Sequence, residues 1–268
     1  MHVHFLDPYR PAGSPLHALD PRTKLVLVLA FILTSALAPT GAWPTYVLLF
    51  ALVLAAAVLS ELGIGFVLKR AMLALPFVLA ALPVIFTIDG APLVSFTIGP
   101  WTLTATIPGL ERFISIALKS WLSVQAAILL SATTTFPDLM IAMRAIRVPR
   151  LLVAIFGLMW RYLFVMADEA LRLMRARQAR SGEALQPGLR PGGGLAWRAR
   201  VAGGMAGSLF LRAFERSDRI YVAMLSRGYD GEVRSAPLPP LSTANWLVLA
   251  GGLLFLALLL GLAAIFSL

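Results

Sequence analysis

Long apolar runs separated by short polar segments dominate the pattern of the chain. Five of them cover residues 25–38, 44–60, 66–88, 112–131 and 246–268. Runs of this kind are typical of α-helices that cross the hydrocarbon core of a bilayer. Asp20 and Pro21 suit the N-cap and first turn of the first helix, while Pro76 and Pro83 predict a kink in the third. The pattern therefore predicts about five transmembrane helices.

A different pattern separates the third run from the fourth. Residues 93–98 and 101–107 are rich in β-branched and aromatic residues, which favour extended strands. Gly99 and Pro100 lie between them and are typical of a tight turn. The segment predicts a small β-hairpin, and the scarcity of basic residues around it favours the extracytoplasmic side.

Three amphipathic helical patterns follow the fourth run. The first covers residues 136–148, with Thr135 as its N-cap and Pro149 as its stop. Two longer patterns cover residues 151–180 and 195–226, with a Gly- and Pro-rich turn between them. Apolar residues recur at steps of three and four, which gives each helix an apolar face.

The apolar start of the second pattern, residues 151–166, is interrupted by Arg161. Its unbroken part is ten residues long, too short for a span of roughly 20. If it crossed, the arginines from Arg172 to Arg234 would lie opposite the basic segments that precede it, against the positive-inside rule. We interpret it as a helix at or just under the membrane surface that continues to Arg180.

Composition agrees with a membrane protein. Hydrophobic residues make up 59% of the chain, charged residues 13%, and the mean hydropathy is +0.83. The net charge of +10 favours acidic partners or lipids over nucleic acid. Basic residues in the N-terminal segment, at Lys69 and Arg70 and after Arg144 predict a cytoplasmic N-terminus and an extracytoplasmic C-terminus. The chain has no cysteine, which excludes disulfides and Cys-based metal sites.

Together these patterns predict an all-α polytopic membrane protein with a small extracytoplasmic β-hairpin. Residues 1–24 form a cytoplasmic N-terminal segment, and residues 25–131 contain transmembrane helices one to four. Residues 132–240 form a cytoplasmic domain of long amphipathic helices, and residues 241–268 contain the fifth transmembrane helix.

Each long amphipathic helix ends in an arginine within a short tripeptide. The two tripeptides are Ala179-Arg180-Ser181 and Ser226-Arg227-Gly228. One interpretation is an ordinary capped helix end. The arginine can donate hydrogen bonds to the last carbonyls of the helix, and Gly182 or Gly228 suits a left-handed C-cap. The other is that each planar guanidinium docks into an acidic groove on another protein. Two such ends in one chain favour docking.

The sequence resembles the T component of energy-coupling factor transporters, specifically the CbiQ type that serves cobalt uptake. Residues 14–25 (SPLHALDPRTKL), residues 136–140 (FPDLM), residues 147–151 (RVPRL) and the two tripeptides carry the resemblance. The second tripeptide has Ser226 where the family usually has alanine. The resemblance implies a multi-pass protein of the bacterial inner membrane in which each tripeptide arginine enters one of two ATPase subunits.

The resemblance also implies further partners and a mechanical role. ATP and magnesium would be bound and hydrolysed by the ATPase subunits, with no cofactor or metal on this chain. A membrane substrate-binding subunit of the CbiM type, with or without a CbiN-like one, would contact the apolar faces of the amphipathic helices. The residues expected to make that contact are Met140, Met143, Phe210, Phe214 and Met224.

Other functions stay open from the sequence. The substrate could be nickel or a vitamin in place of cobalt, or the chain could be the permease of an ordinary ABC importer. A remoter alternative is a membrane metalloenzyme that uses His2 and His4, although a flexible N-terminus explains these histidines equally well. The chain lacks the Gly-rich loop that ends in Gly-Lys-Ser/Thr, which excludes that mode of nucleotide binding. The predicted spans contain almost no ionisable residue apart from Lys119 and Arg112, which argues against a permease path.

Overall fold

The computed structural model describes residues 8–98, 101–180, 194–231 and 240–266. Its contacts divide the chain into two units. The larger unit contains described residues 8–146 and 240–266, and the two-helix unit contains described residues 147–180 and 194–231.

The larger unit begins with one short helix and two long ones. These are α1 (Pro15–Ala18), α2 (Pro21–Leu37) and α3 (Trp43–Leu59). A carboxylate oxygen of Asp20 accepts a 2.9 Å hydrogen bond from the backbone N–H of Arg22, and Pro21 occupies the first turn. The predicted start of the first long helix is confirmed.

The third apolar run forms a broken helix. Its pieces are α4 (Ile64–Ala71), a 3₁₀ turn (Met72–Ala74), α5 (Leu75–Ala80) and α6 (Val84–Thr87). Pro76 lies in the first turn of α5 and Pro83 directly precedes α6. Proline has no backbone N–H to donate, so each one starts a new helical piece, and the predicted kink is confirmed.

A two-stranded antiparallel hairpin, β1 (Pro92–Ile98) and β2 (Trp101–Thr106), follows as predicted. Helix α7 (Ile107–Thr133) then begins five residues earlier than the apolar run suggested. The reason is a cap: the Thr106 hydroxyl accepts from the backbone N–H of Gly109 at 3.2 Å, and Pro108 fits the first turn.

Helix α8 (Phe136–Ala145) starts at the predicted cap, Thr135, but ends three residues before the predicted Val148. Arg147 explains the early end, because its φ of 63° is left-handed and cannot continue a helix. Helix α8 packs against α2 and therefore belongs to the larger unit, although the sequence pattern placed residues from 132 onward in the amphipathic domain.

Helix α11 (Thr243–Phe266) completes the larger unit and packs against α2 and α3. The buried core lies where α2, α3, α4, α7 and α11 meet. Its fully or nearly fully buried members are Phe31, Leu49, Val53, Ala57, Val67, Leu122, Ala126, Leu129, Leu256 and Leu259. The long helices thus bury one apolar side each, and their other sides expose large apolar residues, as expected of helices that face lipid.

The two-helix unit consists of α9 (Arg150–Arg180) and α10 (Leu195–Leu225). Residues 151–166 continue into the basic half of α9 without a break, as predicted. Among the described residues, four segments are long and apolar enough to cross a membrane: 64–87, α7, α9 and α11. The helix continues through Arg161, and α9 therefore reaches spanning length. The prediction that residues 151–166 are too short to span is wrong. The position of α9 at the membrane surface stays a prediction.

Candidate functional site

The C-terminal end of α10 has a defined geometry. Backbone N–H groups of Gly228 and Tyr229 donate to the carbonyls of Leu225 and Met224, at 2.9 and 3.0 Å. Gly228 has a φ of +78°, in the left-handed region. This pair of bonds is a Schellman motif, with Arg227 as the last residue before the glycine. The predicted left-handed C-cap at Gly228 is confirmed, and it fixes the point where the Arg227 side chain leaves the helix.

Both tripeptide arginines are exposed. Arg180 is the last residue of α9, with Ala179 exposed beside it. Neither the Arg180 nor the Arg227 guanidinium has a hydrogen bond or an ion pair to any residue in the described part of the chain. Ser181, the third member of the first tripeptide, lies outside the described residues. Each fork of donors is thus available to a carboxylate of another molecule.

An ion pair joins α9 to α10. Nη1 of Arg212 lies 2.5 Å from Oε1 of Glu169, and Arg172 lies 4.0 Å from the other oxygen of the same carboxylate. The longer contact, to Arg172, joins residues three positions apart on α9, a spacing that brings side chains onto the same face of a helix. The shorter contact, to Arg212, links residues 43 positions apart. No helical period can indicate such a pair.

The apolar face that the sequence predicts for α10 is divided in the structure. Ala213, Ile220 and Met224 are half-buried, whereas Phe210 and Phe214 are 67% and 61% exposed. An apolar groove of about 330 Å³ lies between the two helices. Ile155, Met159, Met166, Ala213 and Ile220 are among its lining residues. Met224 thus belongs to the half-buried side of α10, whereas the two phenylalanines belong to its exposed side.

The remaining predicted contact residues, Met140 and Met143, lie on α8 in the larger unit and are half-buried. The other three predicted contact residues, Phe210, Phe214 and Met224, belong to the two-helix unit. The five residues are therefore two separate sets.

Lys119, the ionisable residue within a predicted span, has a structural partner. Its ammonium group donates to the backbone oxygens of Ala36 and Ala38 at the end of α2. A cation at the C-terminal end of a helix is favourable because the last carbonyls carry partial negative charge. The sequence could not show this contact, since the lysine and the carbonyls it caps are about 80 residues apart.

His17, one of the three N-terminal histidines, uses both ring nitrogens inside the protein. Nε2 donates to the backbone oxygen of Arg10 at 3.0 Å, and Nδ1 lies 2.6 Å from the hydroxyl of Ser14. His2 and His4 lie outside the described residues. Within the described ranges, no group of three His, Cys, Asp or Glu side chains is placed to hold a metal ion.

The fold defines an all-α, multi-pass membrane protein with a separate unit of two amphipathic helices that end in exposed arginines. The profile of the family described as CbiQ, cobalt transport protein, matches residues 12–237. The chain belongs to this family, the transmembrane T components of energy-coupling factor transporters of the cobalt type. It is thus a component of a transporter complex that contains other subunits.

Curated relatives cover most of the chain. An energy-coupling factor transporter transmembrane protein EcfT of Lacticaseibacillus paracasei is 30% identical over 84% of this chain and 85% of its own length. The EcfT protein of Listeria innocua is 29% identical over 84% of each chain. A putative fused cobalt transport protein CbiMQ of Methanocorpusculum labreanum is 27% identical over 96% of this chain and 43% of its own length.

Proposed function

We propose that this chain transmits force from two ATPase subunits to a membrane subunit that binds the substrate, cobalt. One observation carries the proposal: two exposed arginines, Arg180 and Arg227, end two helices that a direct ion pair joins. A guanidinium that has no partner among the described residues can bind a carboxylate of another subunit in a bidentate manner. One ATPase subunit receives each arginine, and ATP and magnesium are bound there, with no cofactor on this chain.

The Glu169–Arg212 ion pair sets the length over which force is transmitted. Arg180 lies 11 residues further along α9, which is about 17 Å of helix at 1.5 Å per residue. Arg227 lies 15 residues beyond Arg212 and two residues past the end of α10, or about 23 Å at the same rise. A helix transmits displacement along its axis because its backbone hydrogen bonds resist bending. When the ATPase subunits close, the two arginine ends move together and the motion passes to the rest of each helix.

The substrate-binding subunit is expected at the exposed apolar side of α10. Phe210 and Phe214 offer two aromatic rings there, and exposed apolar patches of this kind are typical of contact surfaces. Met140, Met143 and Met224 are flexible apolar residues that adapt to a moving partner. A substrate-binding subunit of the CbiM type fits this role, with or without a CbiN-like one.

Cobalt is the substrate that the comparisons favour over nickel or a vitamin. The relative in Methanocorpusculum labreanum is named as a putative fused cobalt transport protein CbiMQ. Uptake of radioactive cobalt by cells that express the whole transporter tests the proposal, with nickel as competitor. Uptake that nickel abolishes at equal concentration, or uptake of a vitamin alone, would contradict cobalt as the substrate.

The decisive experiment reverses both arginine charges in the whole complex. Arg180→Glu combined with Arg227→Glu is expected to release the ATPase subunits from the purified transporter. A matched control reverses two exposed arginines on the same helices, Arg175→Glu with Arg219→Glu, and is expected to retain them. Both double variants change the net charge equally. Retention of the ATPase subunits in the first variant would contradict the proposed docking.

Orientation can be tested with the same chain. The proposal requires both tripeptides on the cytoplasmic side of a bacterial inner membrane, with the N-terminus also inside and the C-terminus outside. Because the chain has no cysteine, a single Ser226→Cys variant carries a unique thiol. Labelling of this thiol by a membrane-impermeant reagent in intact cells would contradict the proposal, and labelling only in inverted vesicles supports it.

The rival function of an ABC permease is less well supported. Its polar path would need ionisable side chains free within the spans. Lys119 donates to two carbonyls at the end of α2, so its charge is used in helix capping. The metalloenzyme alternative rests on His2 and His4, and removal of both histidines is expected to leave cobalt uptake intact.

A further inference from the structure

A crevice with a volume of about 380 Å³ lies among the helices of the larger unit, beside the first turn of α2. Sixteen described residues from α1, α2, α3, α7, α11 and the α1–α2 loop line it. Fourteen of them are apolar, and the other two are Lys24 and Thr133. The crevice is therefore an apolar site with a single charged residue in its wall.

Lys24 is a buried cation. The exposed fraction of Lys24 is 7%, and its Nζ donates to the backbone oxygen of Thr133 at 2.9 Å. Among the described residues, no carboxylate forms a salt bridge with it, and Asp20 and Asp138 act on it only from a greater distance. Thr133 is the last residue of α7, so the carbonyls at this helix end offset part of the lysine's charge, as they do for Lys119. They carry only partial negative charge, so an anionic group at the crevice would complement the lysine further.

The size and lining of the crevice indicate what occupies the rest of it. Its volume equals roughly a dozen water molecules at about 30 Å³ each, but its nearly all-apolar lining offers water few hydrogen-bond partners. An empty space of this size would also lose the dispersion contacts of its lining atoms. The walls come from helices of a multi-pass membrane protein, so hydrocarbon chains of lipids are the apolar molecules at hand.

We propose that the crevice binds one acyl chain of an anionic phospholipid, whose phosphate is attracted by Lys24. The acyl chain contacts side chains such as Leu27 and Phe31 of α2 and Ala56 of α3. Such a lipid would fill the space between the first helices and neutralise a charge that pairs with no carboxylate among the described residues. This site is independent of the arginine helix ends and of the transport role proposed above.

Native mass spectrometry of the full chain, released from bilayers of equal phosphatidylglycerol and phosphatidylcholine, tests the site. The wild type is expected to retain one phosphatidylglycerol, about fivefold preferred, because one lysine near an anionic headgroup contributes that much attraction. Lys24→Met is expected to lose the preference. Ala56→Phe, which reduces the crevice without changing Lys24, is expected to lose the retained lipid. Lys69→Met, at an exposed lysine on α4, is the matched control and keeps the wild-type pattern.

Each remaining outcome decides against the proposal. Equal retention of the two lipids by the wild type would show that Lys24 does not select an anionic head. Unchanged retention in Ala56→Phe would place the lipid elsewhere, provided that this variant elutes as a single folded species. If added oleate displaces the phospholipid at equal concentration, the ligand is a free fatty acid, which would contradict the proposal.

Discussion

Gly252 of α11 lies directly against Leu27 of α2, so that a Cβ atom on the glycine would stand 2.6 Å from Cδ2 of the leucine. Small residues at interfaces between membrane helices allow the backbones to approach closely, which maximises dispersion contacts. Helix α11 therefore packs directly on α2, and a glycine permits this approach.

A large side chain at this position is expected to push α11 away from α2. Gly252→Leu should lower the free energy of unfolding by about 1–3 kcal/mol, the usual cost of overpacking. Gly251→Leu is the matched control, because a Cβ at Gly251 meets no atom within 4 Å. Thermal unfolding of the two variants in detergent measures the difference. The added variant Leu27→Ala should restore part of the loss in Gly252→Leu, and a failure to do so would contradict the contact.

The bond from Lys119 to the end of α2 makes a second prediction. Lys119→Met removes a charged donor from the oxygens of Ala36 and Ala38, and hydrogen bonds to charged groups contribute about 1.5–3 kcal/mol. We expect a lower unfolding temperature and faster hydrogen exchange in the last turn of α2. Lys69→Met, at an exposed lysine, should leave both unchanged. Normal exchange at the end of α2 in Lys119→Met would rule out this capping role.

Local signals in the sequence were sufficient for most helix boundaries. Asp20 before Pro21, Thr135 before Phe136 and Gly228 after Arg227 each combine a preferred residue type with a fixed offset. Such caps act within one turn of helix, so the chain pattern contains the whole interaction. The hairpin was likewise predictable, because its two strands are close neighbours in the chain and pair with each other.

Contacts between distant segments were not predictable in this way. The pairs Lys24–Thr133, Lys119–Ala38 and Glu169–Arg212 join residues 109, 81 and 43 positions apart. Which residues meet depends on how whole helices pack, and a single sequence does not contain that information. The same limit explains the division of the α10 face: periodicity places Phe210 and Met224 on one broad apolar arc, and only packing against α9 separates them.

Loss of the Glu169–Arg212 ion pair is expected to affect transport but to change the stability of the protein very little. Arg212 is more than half exposed, so the pair contributes at most about 1 kcal/mol to stability. Glu169→Gln should therefore unfold almost as the wild type does. If the pair carries force between α9 and α10, the same variant should lower substrate uptake per ATP hydrolysed in the reconstituted transporter.

A control for this prediction exists on the same unit. Glu215→Gln removes an exposed carboxylate from α10 without touching the Arg212 contact, and should leave the ratio of uptake to hydrolysis unchanged. The double variant Glu169→Gln with Arg212→Gln should be no worse than Glu169→Gln alone, because both remove one interaction. Additive losses in the double variant would show that the two residues act independently.

The left-handed conformation of Gly228 allows a graded test of the α10 helix end. Its φ of +78° costs an L-amino acid about 1–2 kcal/mol, except that asparagine tolerates it better than alanine does. We expect capture of the ATPase subunits to decrease in the order Gly228, Gly228→Asn, Gly228→Ala, because the Schellman motif positions Arg227. Gly207→Ala within α10 is the opposite control: its Cβ meets no atom within 4 Å, and it should stabilise the helix by about 0.5–1 kcal/mol. Equal capture by all four chains would mean that ATPase binding does not depend on the geometry of this helix end.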